Sequence, residues 1–404
     1  MPGSAFGTLF RVTTFGESHG LGLGAVVDGC PSGIQISEDV IQQYLDLRKP
    51  GQTKYSTPRK EADSIRILSG VFEGKTTGTP ILLLAQNETQ RSSDYSELAL
   101  CYRPGHADYT FDKKYGFRDY RGGGRSSGRE TLGRVAAGAI AAEFLKTLGI
   151  KLCAYTKTIG SVCCQTDDYH TLLLAENASL SQPLFDRISA EGLQALRAKK
   201  LGSPLFMPDH AASRLAEDKL SEAMMQKNSM GGIIECIISG LPAGIGEPVF
   251  DKLDAKLAQA ICSVGAVKGF ELGSGFAAAA SNGAENNDNF TSADGQIRKL
   301  TNHAGGILGG ISDGSDIVFR AAFKPTPSIF SEQQTVTQDG TPLTLQVKGR
   351  HDPIIVPRAV AVIEAMAAIT IADALLVNMG TRLEHIQKFY ETKERIGSLY
   401  EHQK

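Results

Sequence analysis

The segment from Arg121 to Ile140, RGGGRSSGRETLGRVAAGAI, constrains the fold of this 404-residue chain more than any other stretch. A glycine run leads into Ser127, and Ser127 and Glu130 have the S-x-x-E spacing of a capping box, which marks the start of a helix. The residues that follow are rich in alanine, and Gly149 is suited to end a helix. We therefore predict a helix from about Ser127 to Leu148.

Arginine is concentrated around this helix start, at Arg118, Arg121, Arg125, Arg129 and Arg134. A helix N-terminus presents unpaired N–H groups and a partial positive charge. Guanidinium groups and serine hydroxyls beside it predict a site for a phosphorylated, multiply anionic ligand. A solvated arginine cluster is one alternative. An RGG-type nucleic-acid segment is another, but such segments are long, repeated and disordered, whereas this one is a single copy.

Composition indicates a folded protein, because 41% hydrophobic and 21% charged residues are ordinary for a chain with a large core. No linker marks a boundary, so we predict one domain over residues 1–404. The net charge of −2 argues against nucleic-acid or anionic-membrane partners. Seven cysteines without a C-x-x-C pair indicate free thiols, and the N-terminus lacks signal-peptide features, so a cytoplasmic location is expected. The apolar stretch from Ala359 to Val377 carries Glu364 and Asp373, which favours a core helix over a membrane span.

Hydrophobic patterns predict both strands and helices. Strands are expected at Thr8–Phe15, Gly24–Asp28, Ile65–Phe72, Pro80–Leu84, Gly232–Ser239 and Asp316–Phe323. Further helices are expected from Ser37 to Pro50-Gly51, at Asp251–Ser263 and at Pro357–Val377. Residues 165–225 are polar and irregular, and we interpret them as a helical insertion or lid. The elements lack regular βαβ alternation, so the α+β class is favoured.

Four histidines lie in glycine- or proline-rich loops: His19, His106, His303 and His351. Such loops hold polar groups close to a ligand, and histidine is the usual proton donor or acceptor near neutral pH. A structural role for any one of them stays open. No histidine or carboxylate spacing supports a metal site. Cys30 is the only cysteine in a comparable loop, and it is a weak nucleophile candidate.

Two glycine patterns do not indicate nucleotide binding. The stretch GVFEGKT, residues 70–76, is one residue shorter than a P-loop and leads into TTGTP rather than into a helix. Gly20, Gly22 and Gly24 do not match G-x-G-x-x-G. Neither an ATPase nor a dinucleotide-binding Rossmann domain is supported.

Several long motifs occur in a specific order: FRVTTFGESHG, RPGHADYT, DYRGGGRSSGRETLGRVAAGAI, NHAGGILGGIS, KPTPS and GRHDP. In these motifs, which cover most of the chain outside residues 165–225, the sequence resembles the chorismate synthase family. The resemblance implies a β-α-β sandwich of antiparallel sheets around helices, and a homotetramer. It also implies a lyase of the shikimate pathway that converts 5-enolpyruvylshikimate-3-phosphate to chorismate and phosphate. This anti-1,4-elimination requires reduced FMN without net redox change.

Two alternatives differ in mechanism or class. An NAD(P)H-dependent flavin reductase would use the same site for net electron transfer and release no phosphate. A non-enzymatic anion- or RNA-binding module would rest on the arginine segment and would give His19 and Asp352 no role. Steeply salt-dependent RNA binding would identify that module.

The resemblance also implies roles for catalytic residues. His19 is the expected acid toward the leaving phosphate, and His106 the proton partner at the N1/O2 edge of the flavin. Asp352 is the expected base, which removes the C6 proton by way of flavin N5. Ser18 and Ser127 are a relay.

The resemblance further implies binding residues. For FMN these are Arg125, Ser126, Ser127, Gly265, Ala266, Gly309, Lys324, Pro325, Thr326, Pro327 and Ser328, and Arg350 is implied for FMN or substrate. For the substrate they are Arg48, Lys54, Arg103 and Arg129, of which Arg48 matches a position for substrate or nicotinamide phosphate.

Four positions depart from the family pattern. Lys54 stands where arginine is usual, which keeps the charge but loses the bidentate fork. Gly265 replaces asparagine, and Pro327 replaces serine, so that one side-chain hydrogen bond and one N–H donor are lost. Gly128 replaces alanine at the helix start. None of these changes removes a proposed acid or base, so we expect activity with weaker flavin affinity.

Overall fold

The computed structural model describes residues 3–51, 53–56, 63–87, 97–177, 187–293, 295–346 and 352–391. Within these ranges the helices are α1 (Glu38–Asp46), α2 (Asp108–Tyr115), α3 (Thr131–Thr147), α4 (Tyr169–Asn177), α5 (Ala190–Leu201), α6 (His210–Met225), α7 (Leu253–Cys262), α8 (Gly283–Asn286) and α9 (Val356–Asn378). The strands are β1 (Ala5–Phe6), β2 (Arg11–Gly16), β3 (Gly22–Asp28), β4 (Ile65–Ile67), β5 (Val71–Phe72), β6 (Lys75–Thr76), β7 (Ile81–Gln86), β8 (Lys151–Ile159), β9 (Val162–Cys163), β10 (Gly232–Ser239), β11 (Val267–Leu272), β12 (Phe290–Ala293), β13 (Gln296–Lys299), β14 (Ile307–Leu308), β15 (Ile311–Ser312), β16 (Ile317–Phe323), β17 (Gln333–Val336) and β18 (Pro342–Leu345).

Two antiparallel sheets form the outer layers of a sandwich. Within the described residues the first has the strand order β1-β2-β3-β7-β4, and the second has the order β11-β16-β10-β8-β9. Helix α3 packs on β3 of the first sheet, α9 packs on β8 of the second, and the two helices pack on each other between the sheets. One continuous hydrophobic core fills this space. The predicted α+β sandwich is confirmed.

Small residues let the layers approach closely. A Cβ atom on Gly138 of α3 would lie 2.6 Å from the Cα atom of Ala365 of α9, and one on Gly133 would lie 2.5 Å from the carbonyl oxygen of Gly24 in β3. Real Cβ atoms do not approach other atoms this closely, so glycine is required at both contacts. Helix α3 is therefore held firmly between a strand and the central α9.

The observed ends of α3 agree only in part with those predicted from the sequence. Gly149 has a φ of 75° and, with Ile150, donates N–H bonds back to the last turn, which confirms the predicted stop. At the start, Ser127 accepts from the N–H of Arg129, but a 3₁₀ turn at Gly128–Glu130 precedes the α-helix. The capping-box prediction is wrong for Glu130, because its carboxylate binds Thr14 and Arg134 instead of the N–H of Ser127.

Helix α9 is the central helix of the core, and every residue from Val356 to Ala372 except Arg358 is buried. Among the described helices it alone is long and apolar enough to cross a membrane by length and composition, yet 72% of its most apolar window is buried inside the fold. A helix that is apolar all round is expected at such a position in a large core.

The described residues between 165 and 225 form α4, α5 and α6, of which α4 and α5 cover the outer face of the second sheet. Side chains of α4 and α5, including Tyr169 and Leu193, pack on Tyr155 and Ile237 of that sheet. On the same face, Arg320 binds the carboxylates of Glu235 and Glu271. The structure is helical, as expected. The interpretation as an insertion or lid stays a prediction.

Apart from α3, most predicted elements differ from the observed ones by one to three residues at an end, and two differ by more. Ser37 caps α1 through the N–H of Val40, but α1 ends at Asp46 and not at Pro50-Gly51. The strand predicted at Ile65–Phe72 is divided into β4 and β5, because β5 turns back into β6. Positive φ angles at Glu73 and Gly74 form this tight turn. The GVFEGKT stretch is therefore a hairpin, consistent with its rejection as a P-loop.

Candidate active site

The GESHG loop between β2 and β3 lies against the glycine run that precedes α3. The Nδ1 atom of His19 is 3.1 Å from the hydroxyl of Ser18. A Cβ atom on Gly122 would lie 2.5 Å from Cε1 of His19, and one on the next residue, Gly123, would lie 3.1 Å from Cα of Ser127. Gly122 therefore lies against Ser18 and His19, and its neighbour Gly123 lies against Ser127, so a side chain at Gly122 would displace the His19 ring.

The arginines of this segment bind other parts of the chain. Arg125 donates to the carbonyl oxygen of Gly16 at 2.9 Å and to the hydroxyl of Thr14 at 2.6 Å. Arg129 donates through Nε to Asn87, whose amide group donates to two carbonyls of the GESHG loop. The others form ion pairs: Arg118 with Asp112, Arg121 with Asp119, and Arg134 with Glu130. These guanidinium groups therefore hold loops in place.

Arg48 lies inside the protein, where 2% of its surface is exposed. Its guanidinium binds the carboxylate of Asp63, the carbonyl oxygen of Gly128 and the hydroxyl of Thr131. The other carboxylate oxygen of Asp63 binds Arg129 at 2.8 Å. Nε of Arg48 is buried without a hydrogen-bond partner. We call Arg48, Asp63 and Arg129 the paired-arginine side of the site.

The RPGHAD loop lies against the KPTPS segment after β16. Nδ1 of His106 is 3.0 Å from the carbonyl oxygen of Pro104, and Nε2 is 3.0 Å from the hydroxyl of Ser328. Because a carbonyl only accepts, Nδ1 carries the hydrogen and Nε2 of the neutral ring accepts from Ser328. Lys324 donates to the carbonyl oxygen of Gly105 at 2.7 Å. We call His106, Lys324, Thr326 and Ser328 the lysine side.

The lysine side is electropositive. Burial lowers the pKa of His106, and the nearby charge of Arg103 lowers it further, so the ring is held neutral. Burial and the charge of Lys268 lower the pKa of Lys324. Arg103 itself forms a bidentate ion pair with Asp108 at 2.7 and 2.8 Å. Lys324 forms no ion pair with any described residue.

A turn before β11 supports the KPTPS segment. Gly265 and Ala266 are its central residues, and the carbonyl oxygen of Ala266 accepts the N–H of Lys324 at 3.0 Å. Ala266 has a φ of 72°, a conformation that favours glycine. The hydroxyl of Thr326 is buried and has no hydrogen-bond partner. A buried unsatisfied hydroxyl is unfavourable, so this atom is suited to bind a polar ligand.

Asp352 connects the two sides. The carbonyl oxygen of its neighbour Pro353 accepts the N–H of Met230 at 3.0 Å. The residue before Met230 is Ser229, and its hydroxyl donates to the carbonyl oxygen of Thr326 on the lysine side. In the other direction, Arg358 of α9 donates to Asp352 at 2.6 Å and to the carbonyl oxygen of Arg48 at 3.1 Å. Asp352 is therefore linked through short chains of contacts to both the paired-arginine side and the lysine side.

The chain matches the family model described as chorismate synthase over residues 10–376. It belongs to the chorismate synthase family. The chorismate synthase of Lachnoclostridium phytofermentans is 62% identical over 97% of this chain and 100% of that protein, and that of Agathobacter rectalis is 56% identical over 97% and 100%. A crystal structure of a chorismate synthase aligns with a TM-score of 0.73 and 31% identity, over 96% of this chain and 98% of the other. Chorismate synthases are lyases that catalyse the last step of the shikimate pathway, and this chain is such an enzyme.

Most of the site residues that the motifs predict lie in the GESHG loop and the adjoining glycine run, on the paired-arginine side or on the lysine side. Others lie elsewhere. Lys54 is exposed, and its ammonium group is over the ring of Tyr55, 4.9 Å from the centroid. Gly309 lies in the turn between β14 and β15, next to Gly310, whose carbonyl oxygen binds the start of α7. Arg350 and His351 lie outside the described residues.

His303 has contacts that fix its own loop. Its Nδ1 atom is 3.2 Å from the carbonyl oxygen of Asn286, and its N–H donates to Asp288. The structural alternative for this histidine is therefore the better supported one.

Sequence reasoning missed the residues that link the motifs: Asp63, Asn87, Glu130 and Arg358. Arg358 had a local signal, since it follows the GRHDP motif at the predicted first turn of a helix, and Glu130 had one only as half of a capping box. Asp63 and Asn87 are distant in sequence from the arginines that they bind, as Glu130 is from Thr14.

Proposed function

We propose that this chain converts 5-enolpyruvylshikimate-3-phosphate to chorismate and phosphate by anti-1,4-elimination, with reduced FMN as a required cofactor and no net redox change. Family membership supports the reaction. The observation that best supports the mechanism is the linkage of Asp352 to both cationic sides of the site, because a base is needed close to where an anionic substrate binds.

The chain supplies the proton-transfer groups. Asp352 accepts the proton that leaves C6. His19, next to Ser18 and the glycine run, donates toward the departing phosphate. The neutral ring of His106, oriented by Pro104 and Ser328, provides a proton partner at its Nε2 atom. Since Arg125 and Arg129 are bonded to the loops around His19, their main task is to keep these loops in position.

The lysine side fits a flavin mononucleotide. The unsatisfied hydroxyl of Thr326 and the ammonium group of Lys324 offer a donor and a positive charge. Ala266 and Gly105 hold this segment in place through their carbonyl oxygens. Reduced FMN, when bound, supplies electron density that assists cleavage of the C–O bond and is then recovered. Ser126 has an exposed side chain, which suits a ligand contact.

An anaerobic assay tests the proposal. Purified protein is mixed with 5-enolpyruvylshikimate-3-phosphate and chemically reduced FMN, and chorismate and phosphate are quantified, with oxidised FMN as the control. We expect equimolar products only with reduced flavin and many turnovers per flavin. Consumption of NADPH without phosphate release would instead identify a flavin reductase. No product despite tight binding of both ligands would contradict the proposal.

We further propose that the enzyme works as a homotetramer in the cytoplasm, without nucleic-acid or membrane partners. Large exposed apolar side chains, such as Phe250 at 91%, Phe276 at 82% and Ile297 at 80%, support contacts between copies. The seven free cysteines fit a reducing compartment. Light scattering after size exclusion is expected to give four times the chain mass of 43.1 kDa. A stable monomer would overturn the assembly.

A further inference from the structure

Arg358 holds the carboxylate of Asp352 from a fixed position. Its Nη1 atom donates to Oδ2 of Asp352 at 2.6 Å, and its Nε atom donates to the carbonyl oxygen of Arg48 at 3.1 Å. Two bonds on different atoms of a planar guanidinium fix both its position and its orientation. The carboxylate that it binds therefore has a defined direction.

The supports of Arg358 are rigid on both sides. Its backbone is in the first turn of α9, where all its neighbours from Val356 to Ala372 are buried. The Arg48 carbonyl that it binds belongs to a residue fixed by Asp63 and Thr131. Asp352, in contrast, lies on a segment outside the helix. Groups on helices are positioned more accurately than groups on loops, so the helix residue sets the geometry of the loop residue.

We infer that Arg358 is a positioning residue of the elimination, which orients Asp352 to accept the C6 proton. This inference rests on the proposed function. Arg358 acts through Asp352 and has no direct contact with substrate in this role. Its removal should therefore lower the rate of proton abstraction and leave the affinities for substrate and flavin nearly unchanged.

Two other roles for Arg358 predict different results. If its guanidinium bound a carboxylate or the phosphate of the substrate, its removal would weaken substrate binding. If it only stabilised the start of α9, its removal would lower thermal stability without changing the rate per folded molecule. Affinity, stability and rate must therefore be measured separately.

The test uses Arg358→Gln and Arg358→Lys in the full-length enzyme, with anaerobic single-turnover formation of chorismate. We expect the rate constant of Arg358→Gln to fall about 100-fold, as for a catalytic group displaced by about 1 Å. Arg358→Lys keeps the positive charge but loses the planar arrangement of two donors. Its rate constant should therefore be about tenfold higher than that of Arg358→Gln. Dissociation constants for 5-enolpyruvylshikimate-3-phosphate and FMN should stay within about threefold of the wild type.

Arg320→Gln is the matched control. The Arg320 side chain is 22% exposed and that of Arg358 is 24%, and each binds carboxylates, but Arg320 lies on the outer face of the second sheet. We expect this control to lose thermal stability and to keep its rate constant per folded molecule. Thermal melts give the folded fraction of every variant.

A double-mutant cycle with Asp352→Asn provides the decisive comparison. If Arg358 acts through Asp352, then Arg358→Gln causes no further loss in the Asp352→Asn background. Additive losses, an unchanged rate in Arg358→Gln, or a tenfold weaker affinity for substrate would each overturn the inference. These outcomes leave the proposed function intact, whereas a wild-type enzyme that forms no chorismate contradicts the function itself.

Discussion

The two sides of the site neutralise their cations in different ways. On the paired-arginine side, the carboxylate of Asp63 binds both Arg48 and Arg129 and is itself buried. On the lysine side, the ammonium group of Lys324 binds only a carbonyl oxygen among the described residues, and the hydroxyl of Thr326 has no partner. Each side keeps one buried polar atom without a partner, Nε of Arg48 or the hydroxyl of Thr326, but only the first side has a carboxylate that holds its cations.

This difference separates two uses of positive charge. Two guanidiniums that share one carboxylate are partly neutralised, and their bonds to it hold both of them and their loops in a fixed geometry. A lysine without a carboxylate raises the local potential and attracts an anion. The arginine-rich sequence therefore marks the scaffold of the site, and we expect much of the ligand affinity to come from the lysine side.

The largest effect is expected at Asp63. Replacing it with asparagine leaves Arg48 buried without its counter-charge, which should lower the free energy of unfolding by about 3–5 kcal/mol. Urea unfolding measures this change. As a control, Glu38→Gln removes the exposed ion pair with Arg66 and should change stability by less than about 1 kcal/mol. A stable Asp63→Asn enzyme would show that the paired-arginine side is not a scaffold.

The next effect is expected at Gly122, where a side chain would displace the ring of His19. Gly122→Ala should lower turnover about 100-fold at unchanged flavin affinity. Gly128→Ala is the matched control, because a Cβ atom at Gly128 meets nothing within 4 Å. Equal activity of the two variants would contradict a catalytic position for His19.

A smaller effect is expected at Lys324. Lys324→Gln should weaken FMN binding by about tenfold through loss of a charge-assisted contact, and the loss should shrink at high salt. Fluorescence quenching of FMN measures the affinity. Lys252→Gln, next to Gly310 and away from the KPTPS segment, should bind FMN normally. An unchanged affinity in Lys324→Gln would remove the proposed difference between the two sides.

Thr326→Val should change stability and affinity in opposite senses. Removing a buried unsatisfied hydroxyl should stabilise the ligand-free protein by about 1 kcal/mol, while FMN binding weakens. Thr326→Ser keeps the hydroxyl and should bind FMN like the wild type. Thermal melts with and without FMN separate the two effects. A valine variant that binds FMN as tightly as the wild type would exclude this hydroxyl as a contact.

The smallest effect concerns pH. Burial and the charge of Arg103 lower the pKa of His106 below its usual 6.5, so the unfolded chain takes up a proton that the folded protein refuses. Stability should therefore fall as the pH decreases below 6.5. In His106→Asn this part of the decrease should disappear, as followed by melting temperatures from pH 7.5 to 5.5. A parallel decrease in both proteins would exclude His106 as its source.

Local patterns in the sequence were sufficient for several elements. The alanine-rich stretch before Gly149, the Ser37 cap and the apolar run of α9 each predicted a helix that is present. Strand β10 has the predicted bounds. These predictions succeeded because propensity, capping and periodicity act between residues close in sequence. The resemblance of the motifs identified the family, and the relatives confirm it.

Partners distant in sequence were decided only by the tertiary structure. Glu130 had the spacing of a capping box, but Thr14, 116 residues away in sequence, lies close enough in the fold to donate to its carboxylate. The charge of Arg48 was evident from the sequence, whereas its burial against Asp63 was not. The sequence by itself thus determined which elements form, the family and which motifs carry the chemistry. The fold decided which charges are neutralised, because the energy of a charge depends on its neighbours in space and on its exposure to water.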